Sequence, residues 1–349
     1  MDARTRYEIL SRNTEEIVTE EELRNLLETE TSPHAYIGFE PSGLVHLGWM
    51  ICANKIIDFI NTGFKFTIFF ADWHAFINDK LTGDVEKIRA CARYMEDCFE
   101  ALGIEKSKVK FRLASELMSG ISYWEKVIRI GKVSTLTRIK RAMTIMGRQE
   151  EEADLDSSKV MYPLMQAADI FELDVDVAYA GIDQRRAHML AREAAERLRW
   201  KKPIALHTPL LPSLRGGNRM DPIASKMSKS DPDSGILIHD SPEDIKRKIA
   251  KAFCPQDVEG NPILLLYKYV IFNKMREVKI ERPSKYGGPI SFSSYDELEK
   301  AYATSHIHPM DLKNGAGEAL IEILRPVRDY FERKPERLEA MQKIIAEMR

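Results

Sequence analysis

Hydrophobic and polar positions along the chain follow two different periods. Five short runs are almost continuously apolar and rich in β-branched and aromatic residues, as buried strands are. These runs are residues 35–39, 64–72, 109–115, 175–181 and 203–211. Most of the segments between them repeat their apolar residues at helical spacing. The pattern predicts strands that alternate with helices.

Two of the intervening segments also have clear ends. Apolar residues share one helical face over 50–60, and Gly63 follows them; the same holds over 85–102, where Gly103 follows. A glycine just past the last turn is a common helix C-cap. The order strand, helix, strand, helix, strand predicts an α/β fold with a Rossmann-like, doubly wound parallel sheet. Such sheets bind ligands beyond the carboxyl ends of their strands.

The regular alternation is broken twice. A mostly helical stretch at about 115–160 precedes the fourth strand, and we interpret it as an insertion. A loop rich in Gly, Pro, Ser and Lys follows the fifth strand, and the pattern beyond it is mainly helical. We therefore predict a Rossmann-like domain over 1–215, a loop and linker over 216–238, and a mainly helical domain over 239–349.

Composition narrows the class of protein. The chain has 349 residues, is 44% hydrophobic and contains no apolar run near the 18 residues of a membrane span, which indicates a globular, cytoplasmic protein. Its first residues lack the apolar core of a secretory signal. Its four cysteines show no CxxC spacing, so we expect reduced thiols and no zinc site. A net charge of −2 means that RNA binding would depend on local basic patches.

The first strand leads into the most informative loop. The turn Pro41-Ser42-Gly43 is followed by His46-Leu47-Gly48 and then by the predicted helix. The first backbone N–H groups of a helix, together with its dipole, suit a phosphate. Gly48 would allow close approach, and His46 could donate a hydrogen bond to a polyphosphate. A lone histidine beside a turn more often has a structural role.

A second motif lies in the loop after the fifth strand. It consists of Lys226, Met227, Ser228, Lys229 and Ser230. The two lysines are mobile cations three residues apart, which suits a polyphosphate. Lysine clusters in loops are usually solvated linkers. The combination with the histidine–glycine loop after the first strand favours phosphate chemistry.

Together the two motifs, HLGW and KMSKS, resemble the HIGH and KMSKS signatures of class I aminoacyl-tRNA synthetases in order and separation. The resemblance covers nearly the whole chain and is greatest to the short archaeal and eukaryotic type of tyrosyl-tRNA synthetase. It implies that 1–215 is a catalytic domain and that 239–349 binds the anticodon. Trp49 departs from the signature, which usually has a second histidine there; its indole N–H can make one hydrogen bond.

A polar stripe lies in the segment before the fourth strand. Tyr162, Gln166 and Asp169 are spaced i, i+4 and i+7, so that in a helix they share one face of an otherwise apolar surface. The stripe could be the solvated face of a helix that is buried on its other sides. It could instead face a pocket, where buried polar groups need partners such as a ligand.

The resemblance implies roles for individual residues. Tyr36 and Asp169 would hold the phenolic hydroxyl of tyrosine, and Tyr162, Gln166 and Gln184 its amino group. His46, Gly48, Lys226 and Lys229 would be catalytic. The residues implied in binding ATP, with Mg²⁺, are Gly38, Glu40, His46, Gly48, Trp49, Asp183, Lys226, Met227, Ser228, Lys229 and Ser230.

The same resemblance implies contacts with tRNA(Tyr). Arg141, Arg185 and Arg186 would read the acceptor stem, although single surface arginines are ordinary. Tyr286 would stack on an anticodon base and Asp311 would accept from a guanine edge, as in the recognition of unpaired RNA bases. Tyr286 could equally be a loop aromatic that packs on its own domain. We also expect a homodimer.

Tyr123, Trp124 and neighbouring apolar residues are candidates for the dimer interface. Three functions compete. The first is an ATP-dependent tyrosine–tRNA ligase. The second is a tryptophan-specific relative or another nucleotidyltransferase. The third is a catalytically silent RNA-binding paralogue, which Trp49 suggests and the intact lysine motif argues against.

Overall fold

The computed structural model of the chain describes residues 1–147, 156–216 and 234–348. Its internal contacts divide the chain into two units. The first unit comprises Met1–Gly43, Lys55–Pro209 and Glu336–Arg349, and the second comprises Leu44–Asn54 and Leu210–Pro335. The domain boundaries 1–215, 216–238 and 239–349 stay a prediction.

The first unit contains a six-stranded sheet. Its strands are β1 (Glu16–Val18), β2 (His34–Phe39), β3 (Lys65–Phe70), β4 (Val109–Leu113), β5 (Val177–Gly181) and β6 (Ile204–Thr208). They are ordered β1-β6-β5-β2-β3-β4, and all neighbours are parallel except β1, which pairs antiparallel with β6. The five predicted strands and the doubly wound sheet are confirmed. The short antiparallel strand β1 was not predicted.

The described residues form sixteen α-helices. They are α1 (Ala3–Ser11), α2 (Glu20–Thr29), α3 (Trp49–Asn61), α4 (Asp72–Ile77), α5 (Val85–Ala101), α6 (Ala114–Leu117), α7 (Ile121–Val133), α8 (Leu136–Ala142), α9 (Ser158–Glu172), α10 (Arg185–Leu198), α11 (Pro242–Lys251), α12 (Pro262–Leu266), α13 (Phe272–Lys274), α14 (Tyr295–Ala303), α15 (Pro309–Arg333) and α16 (Glu336–Glu347). None of the helices in these ranges has the length and apolar character needed to cross a membrane.

Local signals explain where several helices begin and end. Asp84 caps α5 by accepting from the backbone N–H groups of Glu86 and Lys87. Past the end of α5, Gly103 has φ +99°, a conformation that favours glycine. Thr19 and Glu22 form a capping box at the start of α2.

The predicted helical insertion is present as α6, α7, α8 and the start of α9, with residues 148–155 outside the described ranges. Side chains of α7 and α9 share a buried cluster with Tyr36 of β2. In the sheet, β2 has β5 on one side and β3 on the other. The strand order therefore reverses at β2, where doubly wound sheets bind their ligands.

The second unit is mainly helical, as the sequence predicts. It contains α11 to α15 and a π-helical turn, Tyr267–Ile271. It also contains two three-residue strands that pair antiparallel, β7 (Val278–Ile280) and β8 (Ile290–Phe292), which were not predicted. Helix α15 packs closely here, since a Cβ on Gly315 would lie 2.7 Å from Tyr267 Oη.

Candidate active site

One acidic side chain of the first unit is almost completely buried. Asp169 of α9 has 2% of its surface exposed. The hydroxyl of Tyr123 on α7 donates to its Oδ1 over 2.9 Å. Its Oδ2 lies 3.2 Å from Nε2 of His74 on α4. A carboxylate in this position needs hydrogen-bond donors, because a buried charge without them is costly.

The contact between His74 and Asp169 is close but poorly aligned. Although the two atoms are 3.2 Å apart, both ring nitrogens of His74 are buried without a hydrogen-bond partner in the described part of the chain. The two side chains are therefore close neighbours that do not form a hydrogen bond. The His74 ring also meets the Tyr162 ring edge-on, with centroids 5.0 Å apart.

Tyr36 of β2 lies close enough to Asp169 to interact with its negative charge. Burial, and then the negative charge of Asp169, raise the pKa of Tyr36 well above its ordinary value. Tyr36 therefore presents a neutral hydroxyl. Since Asp169 and Tyr162 are both buried, the polar stripe of α9 is not a solvated face.

Glu40, which follows β2, is surrounded by hydrogen-bond and charge partners from three parts of the first unit. It accepts from the Tyr162 hydroxyl over 2.7 Å and from Asn78 Nδ2 over 3.0 and 3.2 Å, and Lys80 Nζ lies 3.7 Å away. Burial, and then the charge of Glu40, raise the pKa of Tyr162 well above its ordinary value. Tyr162 thus connects the Glu40 cluster with the surroundings of Asp169.

The two predicted glutamines lie together. Gln166 Nε2 donates to Gln184 Oε1 over 3.1 Å, and Gln184 Nε2 donates to the carbonyl of Ile145 over 3.2 Å. Gln166 Oε1 is buried and accepts no hydrogen bond from the described residues. This oxygen can accept from a cationic or amino group of a ligand.

The histidine–glycine loop belongs to the second unit. The Gly48 N–H donates to His46 Nδ1 over 3.1 Å. An Nδ1 that accepts carries no proton, so in neutral His46 the proton sits on Nε2, which is a donor. A Cβ on Gly48 would lie 2.8 Å from His46 Cε1. Only glycine therefore fits beneath the imidazole in this position.

One expectation about this loop is wrong. The sequence predicts free backbone N–H groups at the helix start, but Leu47 N–H donates to the Ile236 carbonyl over 2.7 Å and Trp49 N–H to the His46 carbonyl over 3.0 Å. With the Gly48 N–H engaged as well, the backbone N–H groups of Leu47, Gly48 and Trp49 all have acceptors within the protein. The helix begins at Trp49, directly after Gly48, as the sequence predicts.

The other residues implied in nucleotide binding are scattered in the structure. Gly38 is exposed near the carboxyl end of β2, and Asp183 lies in a short 3₁₀ turn, Ile182–Gln184, after β5. Trp49 is buried. The lysine motif, Lys226 to Ser230, lies outside the described residues. Within the described ranges no group of three or more His, Cys, Asp or Glu side chains could hold a metal ion.

The arginines proposed to contact tRNA lie along one groove of the first unit, with a volume of about 730 Å³. Arg186 Nη1 donates to the Arg141 carbonyl over 2.9 Å, and Arg185 forms a two-point ion pair with Glu16. Further basic residues line the groove: Arg138, Arg192 and Lys202. Its charge is partly balanced, since Arg138 pairs with a glutamate, Glu193.

The residues implied in anticodon recognition belong to the second unit. Tyr286 ends a 3₁₀ turn and is 61% exposed, so it is not packed on its own domain. Lys285 Nζ lies 4.7 Å from the centre of its ring. Asp311 lies in the first turn of α15, where a negative charge is favourable.

Two residues of the Asp169 cluster were missed or misplaced from the sequence. Tyr123 was expected at a dimer interface, and this is wrong, because its side chain is fully buried and bonded to Asp169. His74 was not singled out. The available signal was the sequence Asp72-Trp73-His74 at the end of the predicted strand 64–72, because strand ends border the ligand crevice.

Known proteins resemble the chain along its whole length. A family model described as tRNA synthetases class I (W and Y) matches residues 28–325. A tyrosine–tRNA ligase of Aeropyrum pernix is 47% identical, with 99% of this chain and 98% of that protein covered. One of Saccharolobus islandicus is 49% identical, with 97% of each covered. The tyrosyl-tRNA synthetase of Pyrococcus horikoshii, solved with L-tyrosine, superimposes with a TM-score of 0.92 at 43% identity, with 98% of this chain and all of that one covered. The chain therefore belongs to the tryptophanyl and tyrosyl family of class I aminoacyl-tRNA synthetases.

Proposed function

We propose that the chain is a tyrosine–tRNA ligase that acts in the cytoplasm. It converts L-tyrosine and MgATP to tyrosyl-adenylate and pyrophosphate, and then transfers tyrosine to the 3′-terminal ribose of tRNA(Tyr). One observation carries the choice of amino acid. The buried carboxylate of Asp169 lies close to the neutral hydroxyl of Tyr36, so a substrate phenol can donate to the first and accept from the second.

The physical basis of selectivity is the cost of unpaired buried groups. Phenylalanine fits the same space, but it leaves the buried carboxylate and hydroxyl without the partner that tyrosine supplies. The amino group of the substrate would be held by Tyr162, Gln166 and Gln184. The unsatisfied Gln166 Oε1 supports this role.

The chemistry requires no protein nucleophile. The tyrosine carboxylate attacks the α-phosphate of ATP and pyrophosphate leaves, so the protein acts by positioning and by stabilising charge. His46 contributes the Nε2–H donor that its contact with Gly48 enforces. Lys226 and Lys229, with Ser228, Ser230 and the backbone at Met227, would hold the polyphosphate.

The remaining nucleotide contacts would come from Gly38, Glu40 and Asp183, near the ends of β2 and β5, and from Trp49 at the start of α3. Gly38 offers close backbone approach, Asp183 a carboxylate for the ribose, and Glu40 and Trp49 polar and aromatic surfaces. Magnesium enters with ATP as part of the substrate and is held by the phosphates, which is how this ion commonly binds in nucleotide sites.

Arg141, Arg185 and Arg186 would contact the acceptor stem of tRNA. Their common groove supports this role, since phosphate contacts need several cations on one face. Exposed Tyr286 would stack on an anticodon base, and Asp311 would accept from a base edge.

The proposed function is tested by tyrosine-dependent exchange of labelled pyrophosphate into ATP, with phenylalanine and tryptophan in parallel and without tRNA. Exchange with tyrosine is expected to be far more efficient than exchange with phenylalanine, which is measurable only at high concentration, and no exchange is expected with tryptophan. Exchange with tryptophan would overturn the specificity, and no exchange with any amino acid would favour the silent RNA-binding paralogue. Asp169→Asn is expected to abolish tyrosine exchange while ATP binding persists.

A homodimer is part of the proposal. Ile121 and Ile128 lie seven residues apart on one face of α7 and are 84% and 70% exposed, with the half-buried Trp124 between them. Ile128→Asp is expected to convert a dimer to a monomer in light scattering coupled to gel filtration. The control is Met310→Asp, at an exposed apolar position of the second unit. A wild-type monomer, or a dimeric Ile128→Asp variant, would contradict the prediction.

A further inference from the structure

Asp169 depends on one side chain for its orientation. Within the described part of the chain, Tyr123 alone donates a well-formed hydrogen bond to its carboxylate, to Oδ1 over 2.9 Å. The same hydroxyl lies 3.1 Å from the Met165 carbonyl. A hydroxyl has one proton, and an ionised carboxylate is the stronger acceptor, so the proton is directed to Asp169.

We propose that Tyr123 is a positioning residue that sets the tyrosine specificity of the site through Asp169. It occupies Oδ1 and thereby fixes the carboxylate, which leaves Oδ2 to accept the phenolic hydroxyl of the substrate. No described residue donates a formed hydrogen bond to Oδ2. The inference rests on the proposed function, since it assigns how that function selects its amino acid.

The surroundings of Tyr123 suit a fixed donor. Its side chain is fully buried in a cluster that also holds Val127, Ile130 and Met165. Burial, and then the charge of Asp169, raise the pKa of Tyr123 well above its ordinary value, so the hydroxyl keeps its proton at neutral pH. A buried donor of this kind cannot be replaced by water without a cavity to hold it.

The alternative is that Tyr123 only fills the core. The two roles make different predictions for Tyr123→Phe, which removes the hydroxyl and keeps the ring. A core role predicts equal effects on tyrosine and phenylalanine activation. A positioning role predicts a loss that is confined to the substrate whose hydroxyl meets Asp169.

The experiment measures kcat and KM of tyrosine- and phenylalanine-dependent pyrophosphate exchange for the wild type and Tyr123→Phe. We expect kcat/KM for tyrosine to fall about tenfold through KM, since a hydrogen bond to a charged group is lost. The phenylalanine value and the KM for ATP stay unchanged, so the ratio of tyrosine to phenylalanine falls. An unchanged ratio overturns the inference.

Tyr179→Phe is the matched control. Tyr179 is also fully buried, and its hydroxyl forms a hydrogen bond of 3.1 Å with Thr208 Oγ1, away from Asp169. The Tyr179→Phe variant removes a comparable hydrogen bond from the same unit. It is expected to leave the ratio of tyrosine to phenylalanine kcat/KM unchanged. A control variant that lowers the ratio equally would show a general effect of lost buried hydroxyls.

A double-mutant cycle tests whether Tyr123 acts through Asp169. In the Asp169→Asn background, Tyr123→Phe is expected to cause no further loss of calorimetric tyrosine affinity. Additive losses would overturn the inference. A wild-type chain that activates no tyrosine would overturn the proposed function and the inference with it, whereas normal wild-type exchange with an unchanged ratio in Tyr123→Phe overturns the inference alone.

Discussion

Single residues of the histidine–glycine loop depend on each other. Gly48 supplies the N–H that fixes the His46 tautomer, and its missing side chain leaves room for the imidazole. A methyl group at this position would overlap the ring and force it to move. The orientation of the Nε2–H donor is therefore encoded by the glycine two residues later.

Gly48→Ala is expected to lower tyrosine-dependent pyrophosphate exchange about 10- to 100-fold, which corresponds to the loss of a charged hydrogen bond. Tyrosine binding should persist, because Tyr36 and Asp169 belong to a different part of the chain. Steady-state exchange with varied ATP and calorimetry with tyrosine measure the two effects.

The control for this variant is Gly317→Ala in α15, where a Cβ would make only ordinary contact, at 3.9 Å from Ile249. It is expected to keep full exchange activity. Normal exchange in Gly48→Ala would show that the position of the His46 ring is not important for the reaction.

Residue roles differ in how far the sequence reveals them. The stripe of Tyr162, Gln166 and Asp169 can be predicted, because polar residues at helical spacing on an apolar helix stand out. Tyr123 cannot be recognised in this way, since it has an apolar ring on an apolar helix face. Its partner, Asp169, is 46 positions away, and only the tertiary fold brings the two together.

At the scale of elements, α15 shows how tightly the second unit is packed. A Cβ on Gly315 would lie 2.7 Å from Tyr267 Oη and 2.9 Å from Ile280 Cγ1. The Tyr267 hydroxyl also donates to the Leu312 carbonyl over 2.9 Å. The glycine thus lets the helix approach both the π-helical turn and β7.

Gly315→Ala is expected to destabilise the second unit by about 1–3 kcal/mol, the usual cost of an extra group in a packed core. Thermal unfolding followed by circular dichroism measures the effect. Gly317→Ala, two residues further along the same helix, should be neutral or stabilising. Alanine favours helix formation by about 1 kcal/mol over glycine. Equal unfolding temperatures for the two variants would contradict the packing argument.

The sequence predicts long, buried strands correctly and does not reveal short, partly exposed ones. The five parallel strands have continuous apolar runs because both faces of the sheet are covered. Strand β1 has three half-buried residues, and Glu16 pairs with His207, 191 positions later, so no local pattern marks it. The strands β7 and β8 are equally short.

For the molecule as a whole, buried histidines couple stability to pH. His188 Nδ1 lies 3.0 Å from His207 Nε2 in a buried stacked pair, and Glu16 lies 3.1 Å from His207 Nδ1. Burial lowers the pKa of His188 well below its ordinary value and also lowers the pKa of His207, against the pull of Glu16. Both imidazoles are therefore neutral in the folded chain at pH 7.

The sign of the effect follows from proton binding. Below the unfolded pKa of about 6.5 the unfolded chain binds protons that the folded chain does not, so stability is complete above pH 7 and falls as the pH drops toward the lowered values. Between pH 7.5 and 5.5 a histidine whose folded pKa lies well below this range lowers the free energy of unfolding by about 1.4 kcal/mol. The fall in unfolding temperature over this range measures it.

His188→Gln is expected to reduce the fall in unfolding temperature between pH 7.5 and 5.5, because one buried imidazole no longer takes up a proton on unfolding. His306→Gln is the control, since His306 is exposed and folding leaves its imidazole in water. An identical fall in the wild type and His188→Gln would show that the buried pair does not couple stability to pH.

The antiparallel strand β1 has a consequence for association. Three residue pairs join it to β6, and the Glu15 N–H adds a bond of 2.8 Å to the His207 carbonyl. Loss of the first 18 residues would open the row of amide and carbonyl groups along the apolar strand Ile204–Thr208. Such an edge is a template for pairing with the same strand of another molecule, so a short and poorly patterned segment protects the sheet from aggregation.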